Sequence, residues 1–284
     1  MMPLLAPTRI SLGNILIATD FSPSSAAVVP YARSLAKQYK STLFLAHVIS
    51  TEVLGVDPTQ MDDARSRAAQ QMKEFEASAQ LEGIAHKLLM EEGPTWDALL
   101  RMIEENQIDL VIAGTHGRTG AGKFVLGSVA EDIFRHAPCP VLTIGPKVVP
   151  AEKGEAKFGR ILYATDFASE APAAVIYAAS LAQEHKAELT LLHVAEADSR
   201  MPVPQRLLAL LPKETELMHP PEAVIEIGDP AERILRVAAM RRADLIVLGA
   251  HRPAILTTHM MDVAYKVVIE APCPVLTVAP TARL

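Results

Sequence analysis

The chain carries the same series of segments twice, and this duplication constrains its fold more than any other feature. The paired segments are NILIATDFSPSS and RILYATDFASEA (14–25 and 160–171), DLVIAG and DLIVLG (109–114 and 244–249), and APCPVLTI and APCPVLTV (137–144 and 271–278). Asp20 and Asp166 lie 146 residues apart, whereas Asp109 and Asp244 lie 135 residues apart. The third pair of segments lies 134 residues apart. Offsets that stay constant over long stretches and change only at deletions indicate a duplicated domain.

The duplication predicts two domains, at 1–146 and 147–284, with residues 146–158 as the linker between the repeats. Each half is long enough to bury its own core. The apolar runs have the length of strands, and none approaches the roughly 20 residues of a membrane helix, so we expect no membrane partner. The first residues lack a charged region followed by a sustained apolar region, and we therefore predict no signal peptide.

The composition disfavours several kinds of partner and site. The formal net charge of −6, without a basic run interleaved with aromatic residues, argues against a nucleic-acid partner. The nine histidines show no metal-ligand spacing, so we predict no metal site. Cys139 and Cys273 occupy matching positions in the repeat, which indicates buried core residues rather than a disulfide.

Short apolar, β-branched runs alternate with longer helical patterns in both copies, which predicts parallel sheets with crossover helices. The predicted strands are 14–19, 42–49, 85–91, 109–114 and 140–145 in the first copy, and 160–165, 188–195, 222–227, 243–249 and 274–279 in the second. Their nearly continuous apolar character is typical of strands covered on both faces. The predicted fold class is α/β, with two tandem doubly wound domains, each a five-stranded parallel sheet flanked by helices in a Rossmann-like arrangement.

Helix starts are marked by capping residues. The pair Ser22-Pro23 predicts the start of the first helix, and Pro30 is expected to bend that helix or loosen its first turns. The last helix of the first copy is predicted to start at Gly127-Ser128. The second copy is shortened between its second and third strands, where residues 201–214 offer only a brief helix bracketed by prolines.

The segment GTHGRTGAGKFVLGS (114–128) joins the fourth predicted strand to this last helix and is the candidate ligand-binding segment. Gly114 and Gly117 can take positive φ and let backbone amides approach an anion. Gly127 and Ser128 lie at a helix N-terminus, where free N–H groups and the helix dipole favour phosphate. Arg118 and Lys123 add positive charge to the same loop, and His116 lies where it can approach a phosphate, so we include His116 and Arg118 among the candidate ligand-binding residues. The alternative is a surface loop capped by its serine.

The second copy replaces this segment by GAHRPAILTTHMMD (249–262). Gly117 becomes Arg252, and Gly127-Ser128 aligns with Met261-Asp262. The Asp262 carboxylate can cap its own helix and would repel phosphate. If these glycines served the fold alone, the second copy would need them as well. We therefore assign phosphate binding to the first copy and its loss to the second.

Asp20 ends the first strand, where it could contact a ribose hydroxyl, an adenine amine or a magnesium ion. The alternative is an Asx-type turn, which Asp166 supports because it persists where the glycines are lost. The main chain at Val48 can offer an amide and a carbonyl to a base. His47 and His193 recur at strand ends, which favours a structural role over a catalytic one.

Part of the glycine-rich segment is similar to a Walker A motif. Gly117, Gly122 and Lys123 fall one residue short of that motif, because Phe124 stands where Ser or Thr binds magnesium. A P-loop nucleoside triphosphatase is therefore disfavoured. The sequence shows no nucleophile–base pair and no carboxylate dyad, so we assign no catalytic residue.

These motifs resemble those of the universal stress protein family, namely the ATDFS phrase, the FLAHV second strand, the G-2x-G-9x-G-S pattern and PCPVL. The resemblance covers nearly the whole chain as a tandem pair. It implies a fold that often dimerises, and we predict that strands 140–145 and 274–279 pair antiparallel, so that one chain forms an intrachain pseudo-dimer. Members with this glycine motif resemble ATP binders. By carry-over, adenosine and phosphates would be held by Asp20, the Val48 backbone, Gly114, Gly117, Gly127, Ser128 and Val129.

The resemblance further implies a cytoplasmic, ATP-binding stress-response protein, with or without magnesium, that acts as a sensor or regulator through unidentified protein partners. Two other functions remain open on the sequence. One is a scaffold for dimerisation or interaction that binds no nucleotide, and the other is a slow ATPase or phosphotransferase. A homodimer of the whole chain is also compatible with the sequence.

Overall fold

The computed structural model describes residues 9–54, 58–115, 126–149, 155–168, 171–195, 203–249 and 263–279. These residues divide into two compact units. The N-terminal unit takes its described residues from Leu12–Pro146 and Pro150–Ala156, and the C-terminal unit takes them from Met1–Ser11, Lys147–Val149 and Lys157–Leu284. The predicted domain boundaries themselves stay predictions.

The N-terminal unit is a parallel sheet with helices between its strands. Its strands are β1 (Asn14–Ala18), β2 (Thr42–Ser50), β3 (His86–Gly93), β4 (Leu110–Gly114) and β5 (Val141–Ile144). Its helices are α1 (Pro23–Ala26), α2 (Val29–Tyr39), α3 (Thr51–Leu54), α4 (Pro58–Ser78), α5 (Thr95–Glu105) and α6 (Ser128–His136). The strand order is β3-β2-β1-β4-β5, and every neighbouring pair is parallel.

The C-terminal unit repeats this plan. Its strands are β6 (Arg160–Ala164), β7 (Glu188–Ala195), β8 (Glu222–Ile227), β9 (Leu245–Gly249) and β10 (Val275–Val278), and its helices are α7 (Ala171–His185), α8 (Val203–Leu208), α9 (Pro230–Arg241) and α10 (Val263–Glu270). The order β10-β9-β6-β7-β8 is again parallel throughout. The predicted fold class is confirmed, whereas the antiparallel pairing of the two fifth strands stays a prediction.

The repeated aspartates at the fourth strands belong to the fold. Asp109 Oδ2 accepts a hydrogen bond from the Asn14 amide at 2.9 Å, and Asp244 Oδ2 accepts one from the Gly159 amide at 3.1 Å. Each carboxylate therefore ties the start of the fourth strand to the start of the first. The central strands beside these contacts are buried because both faces are covered by helices.

The predicted helix starts are also confirmed. The Ser22 side chain accepts a hydrogen bond from the Ser25 amide, and Pro23 is the first helical residue of α1. Pro30 lies in the first turn of α2, so the expected loosening takes the form of a division into two helices. The shortened crossover of the second copy is α8, which has 6 residues where α4 has 21.

Both cysteines are buried and neither forms a disulfide, as the repeat predicts. Burial raises the pKa of the Cys273 thiol to about 12, because the thiolate would lose its hydration there. A thiol with that pKa is not a nucleophile near neutral pH.

Candidate functional site

The order of the strands reverses between β1 and β4. From β1 the chain passes outward to β2 and β3 and then returns to β4, which pairs with the other side of β1 through Ile15↔Leu110 and Ile17↔Ile112. The loops that follow β1 and β4 therefore leave the sheet side by side. The segments that carry Asp20 and Gly114 therefore converge at the strand-order reversal, which is where open α/β sheets bind ligands.

The turn after β1 is held by three polar contacts and one aromatic contact. The Asp20 carboxylate accepts from the Ser22 amide at 3.0 Å, and the Thr19 hydroxyl accepts from the Phe21 amide at 3.0 Å. His47 Nδ1 lies 2.8 Å from the Thr19 carbonyl oxygen and must carry the proton, since a carbonyl only accepts. The Phe21 ring lies over His47 with 4.3 Å between ring centroids, and Phe21 itself has a φ of 64°. Asp20 thus forms an Asx-type turn.

The turn after β6 has the same construction. Asp166 Oδ1 accepts from the Ala168 amide at 2.9 Å, and Thr165 Oγ1 accepts from the Phe167 amide at 2.9 Å. His193 Nδ1 lies 2.8 Å from the Thr165 carbonyl oxygen, and Phe167 has a φ of 64°. Because both units share these contacts, the fold alone explains the two histidines and the two aspartates. A ligand role for Asp20 stays a prediction.

Gly114 lies against the backbone of helix α1. A Cβ on Gly114 would lie 2.6 Å from the Ser24 carbonyl oxygen and 2.9 Å from its carbonyl carbon. Its φ lies outside the left-handed region, so the expectation that Gly114 uses positive φ is wrong. The absence of a side chain matters because two backbones approach closely. Gly249 keeps this glycine in the repeat, which agrees with a packing requirement.

The two ends of the glycine-rich loop are joined by a hydrogen bond. The Gly127 amide donates to the Thr115 carbonyl at 2.9 Å, and the Thr115 amide donates to the Ile144 carbonyl at 3.2 Å. Thr115 and Leu126 are both buried. The loop is thereby closed at its base beside the ends of β4 and β5. His116, Gly117 and Arg118, which the sequence predicts as ligand-binding residues, lie outside the described residues.

Helix α6 begins at this base with its first amide groups uncapped by a side chain. Gly127 is the N-cap residue, with φ −62° and ψ 152°, and it makes no side-chain cap hydrogen bond. The first intrahelical bond runs from the Glu131 amide to the Gly127 carbonyl at 2.8 Å. The amides of Ser128 and Val129 have no acceptor within the helix, as in any first turn. These donors and the helix dipole suit an anion.

Strand β2 continues beyond the end of β1, and this extension exposes its main chain towards the site. Pairing of β1 with β2 stops at Ala18↔Ala46, whereas β2 and β3 stay paired to Ser50↔Gly93. The Thr19 amide donates to the Ala46 carbonyl at 2.9 Å, so Ala46 faces β1. Main-chain groups alternate in direction along a strand, and Val48 therefore faces the same side, past the last β1 pair. This direction suits contact with a flat base.

The predicted residues Val48 and Val129 pack against the same apolar core. Both side chains are partly buried and pack against one core cluster that includes Leu16, Val111 and Ile133. Strand β2 and helix α6 are thus supported by the same apolar core. The structure brings together Asp20, Val48, Gly114, Gly127, Ser128 and Val129 at one edge of the sheet.

Asp132 is a residue of this region that the sequence analysis did not single out. Burial raises the pKa of its carboxyl group, and the nearby carboxylates of Glu131 and Glu52 raise it further. His136 and Arg135 oppose this shift, because each lowers the pKa of Asp132 by electrostatic attraction. The net shift disfavours negative charge near the start of α6. No motif marks Asp132, because its burial depends on the packing of α6 and not on local sequence.

Two other kinds of feature were sought in the part of the chain that the structure describes. There, no group of three or more His, Cys, Asp and Glu side chains is arranged to hold a metal ion. Within the same residues, no helix has both the length and the apolar character needed to cross a membrane.

Comparison with known proteins adds a family to this geometry. The family model described as the universal stress protein family matches residues 12–145 and 157–279. A universal stress protein from Methanocaldococcus jannaschii is 26% identical over 137 residues, which are 46% of this chain and 81% of that protein. The crystal structure of a universal stress protein from Archaeoglobus fulgidus has a TM-score of 0.79 at 21% identity, and the match covers 95% of this chain and 100% of that one. This chain belongs to the universal stress protein family and carries the family's domain twice.

Proposed function

We propose that the protein binds ATP at one site in the N-terminal unit and acts as a nucleotide-dependent regulator of the stress response. One observation carries this proposal, namely the helix α6 that starts beside the strand-order reversal at a glycine without a capping side chain. An anion there would receive the amides of Ser128 and Val129. The cytoplasmic location that we also propose depends on the family resemblance alone.

In the proposed complex, the base, ribose and phosphates of ATP would lie in that order along the carboxyl ends of the strands. The outward main chain of Val48 would receive the base, and the Asp20 carboxylate would accept a hydrogen bond from a ribose hydroxyl. The phosphates would lie towards Gly127 and Ser128, with Arg118 adding positive charge from the loop. Magnesium, if bound, would be held largely by phosphate oxygens.

The two units differ at the phosphate end. The main chain of Val194 repeats the geometry of Val48, because pairing of β6 with β7 also stops at Ala164↔Leu192. The pair Met261-Asp262, which lies outside the described residues, replaces Gly127-Ser128 in the sequence. A carboxylate at that point would repel phosphate and occupy its donors. We therefore propose one competent site per chain.

Calorimetric titration with ATP tests the proposal and should give one ATP per chain. Ser128→Asp should weaken binding about 100-fold or more, because a carboxylate would face the phosphates. The same substitution should leave the melting temperature unchanged or raise it, since an acidic first turn favours a helix. The matched variant Asp262→Ser should leave the ATP dissociation constant of the N-terminal site unchanged, because the substitution lies in the other unit. Absence of ATP, ADP and AMP binding at millimolar ligand would refute the proposal.

A scaffold that binds no nucleotide is the second candidate. The turn contact of Asp20 and the close packing of Gly114 are both complete without a ligand. Those two residues therefore do not distinguish the candidates, and the amides of α6 do. Unimpaired ATP binding by Ser128→Asp would also count against the site proposed above.

A further inference from the structure

Among the residues that the structure describes, strand β8 has no strand on its outer side and forms an apolar edge of the C-terminal sheet. It ends the strand order of its unit and pairs with β7 on one side. The side chains of Ile225 and Ile227 are 39% and 58% exposed. Edge strands with exposed apolar side chains readily pair with another strand, and most proteins protect them with charges or cover.

The equivalent edge in the N-terminal unit is also partly apolar, since Leu88 and Met90 are 40% and 37% exposed, but a charged residue follows them. The 135-residue offset, which also relates Gly93 to Gly228, makes Glu92 of β3 the counterpart of Ile227. Glu92 forms a bidentate ion pair with Arg65 of helix α4, with 2.8 Å between Nη2 and Oε2. The C-terminal unit has the 6-residue α8 in place of α4, and its edge carries isoleucine where the other carries a charge.

The main-chain direction along β8 follows from its register with β7. The Glu188 amide donates to the Gly159 carbonyl at 2.9 Å, so Glu188 faces β6 and the next residue faces β8. Leu191 and His193 therefore also face β8, where their partners in register are Ala223 and Ile225. In a parallel pair, the N–H and C=O groups of a residue that point towards the neighbouring strand bond to the two residues that flank its register partner. The N–H and C=O groups of the register partner itself point away from the pair.

The outward main-chain groups and the apolar side chains consequently belong to the same residues. Ala223, Ile225 and Ile227 direct their N–H and C=O groups away from β7, and their side chains lie on one face of the sheet. Glu222 and Glu226 point their main-chain groups inward. Their carboxylates lie beside Arg241 and Arg233, respectively, which balance their charge.

We propose that β8 pairs antiparallel with β8 of a second copy of this chain, about a two-fold axis at Ile225. In this register Ile225 opposes its own symmetry mate, and Ala223 opposes the partner's Ile227. Glu226 then opposes the partner's Val224, and Glu222 opposes the partner's Gly228, so no carboxylate opposes another. Every outward N–H and C=O of the three residues finds an antiparallel partner.

The self-complementary register is the reason for choosing a second copy as the occupant. A two-fold axis generates a closed dimer from one surface. The same operation on β3, with its axis at Met90, would place Leu88 opposite the partner's Glu92 and displace Arg65. The pairing is therefore specific to β8. Three outward residues on each strand give a small interface, which suits a weak dimer. The proposed dimer does not depend on nucleotide binding.

Disulfide trapping in the full-length chain tests the register. In Ile225→Cys the two Cα atoms would lie about 5.5 Å apart, within disulfide range, so mild oxidation should give a cross-linked dimer on a non-reducing gel. Ala223→Cys should not cross-link to itself, because the two copies of that residue lie about 13 Å apart along the strands. Met90→Cys is the control on the other edge. The native cysteines are buried and should contribute little.

Sedimentation equilibrium tests the interface without a new thiol. The wild-type chain should dimerise reversibly at micromolar concentrations, and Ile227→Glu, which copies β3, should raise the dimer dissociation constant at least about 10-fold. Leu88→Glu on β3 should leave that constant unchanged, and circular dichroism should show that both variants fold. A wild-type chain that stays monomeric at about 100 µM would overturn the proposal. Equal cross-linking of Ala223→Cys and Ile225→Cys, or no response to Ile227→Glu, would also overturn it.

Discussion

The N-terminal and C-terminal units agree closely at the turn that follows their first strands and differ at the loop that follows their fourth. At the turn, the histidine of the second strand contacts the threonine carbonyl at 2.8 Å in both units. At the loop, Gly127-Ser128 of one unit aligns with Met261-Asp262 of the other. A contact that both units share serves the fold. A ligand site is therefore best identified among the residues that differ between the units.

The glycines of residues 114–128 illustrate this separation. Gly114 has a counterpart in Gly249, and its packing against Ser24 explains why a side chain is excluded. Gly127 has no glycine counterpart, and its backbone angles would suit other residues at an N-cap. One motif therefore combines a packing requirement with a requirement for uncapped amides.

Gly114→Ala is the strongest test of the packing requirement. The new Cβ would lie 2.6 Å from the Ser24 carbonyl oxygen, so the backbones of β4 and α1 must separate. We expect the free energy of unfolding to fall by about 2–3 kcal/mol. Trp96, the single tryptophan, packs against the N-terminal core and reports urea unfolding of that unit by fluorescence.

Gly13→Ala provides the matched control. Its Cβ would meet Asp109 Oδ2 at 3.4 Å, which is an ordinary contact, and its φ is not left-handed. This variant should unfold at the wild-type urea concentration or slightly above it, because alanine reduces the freedom of the unfolded chain. Equal stability of the two variants would mean that Gly114 is retained for another reason.

Much of the fold could be predicted because its signals are local or repeated. The ten strands lie within two residues of their predicted bounds, since buried parallel strands read as continuous apolar runs. The start of α6 at Gly127-Ser128 could likewise be predicted from the residue types that are common at helix N-termini. The convergence of the loops after β1 and β4 followed from the general behaviour of doubly wound sheets.

The remaining features depend on contacts between residues distant in sequence. The approach of Ser24 to Gly114 joins residues 90 positions apart, and no local pattern reports it. The exposure of Ile227 depends on what covers β8, and the sequence indicated only that the crossover is short. The burial of Asp132 is a property of the packed helix α6.

Removing the second-strand histidines should affect both units alike. His47→Ala and His193→Ala each remove one hydrogen bond to a turn carbonyl and one aromatic contact, at centroid distances of 4.3 and 4.7 Å. We expect each change to lower the free energy of unfolding by about 1–2 kcal/mol. His219→Ala, an exposed position, is the control. Urea unfolding is followed here by circular dichroism, because Trp96 reports the N-terminal unit alone. A loss confined to His47→Ala would show that the two turns are not equivalent.

His86 should give the N-terminal unit a small pH dependence that its twin lacks, since Pro221 stands at the equivalent position. Its Nδ1 lies 3.0 Å from the Ile84 carbonyl oxygen and its Nε2 lies 2.9 Å from Glu76 Oε1, so the imidazolium can donate to both. The backbone contact with Ile84 and the Glu76 carboxylate raise the pKa of His86 above its ordinary value.

A raised pKa means that the contribution of His86 to stability is complete below the unfolded pKa of about 6.5 and is lost as pH rises through the folded pKa. Solvent screening limits the effect to about a few tenths of a kcal/mol. His86→Gln should therefore lower the urea midpoint of Trp96 fluorescence at about pH 5.5 more than at about pH 8. Glu76→Gln should reproduce part of that difference. If the wild-type chain and His86→Gln gave parallel pH profiles, the histidine would carry no linked proton.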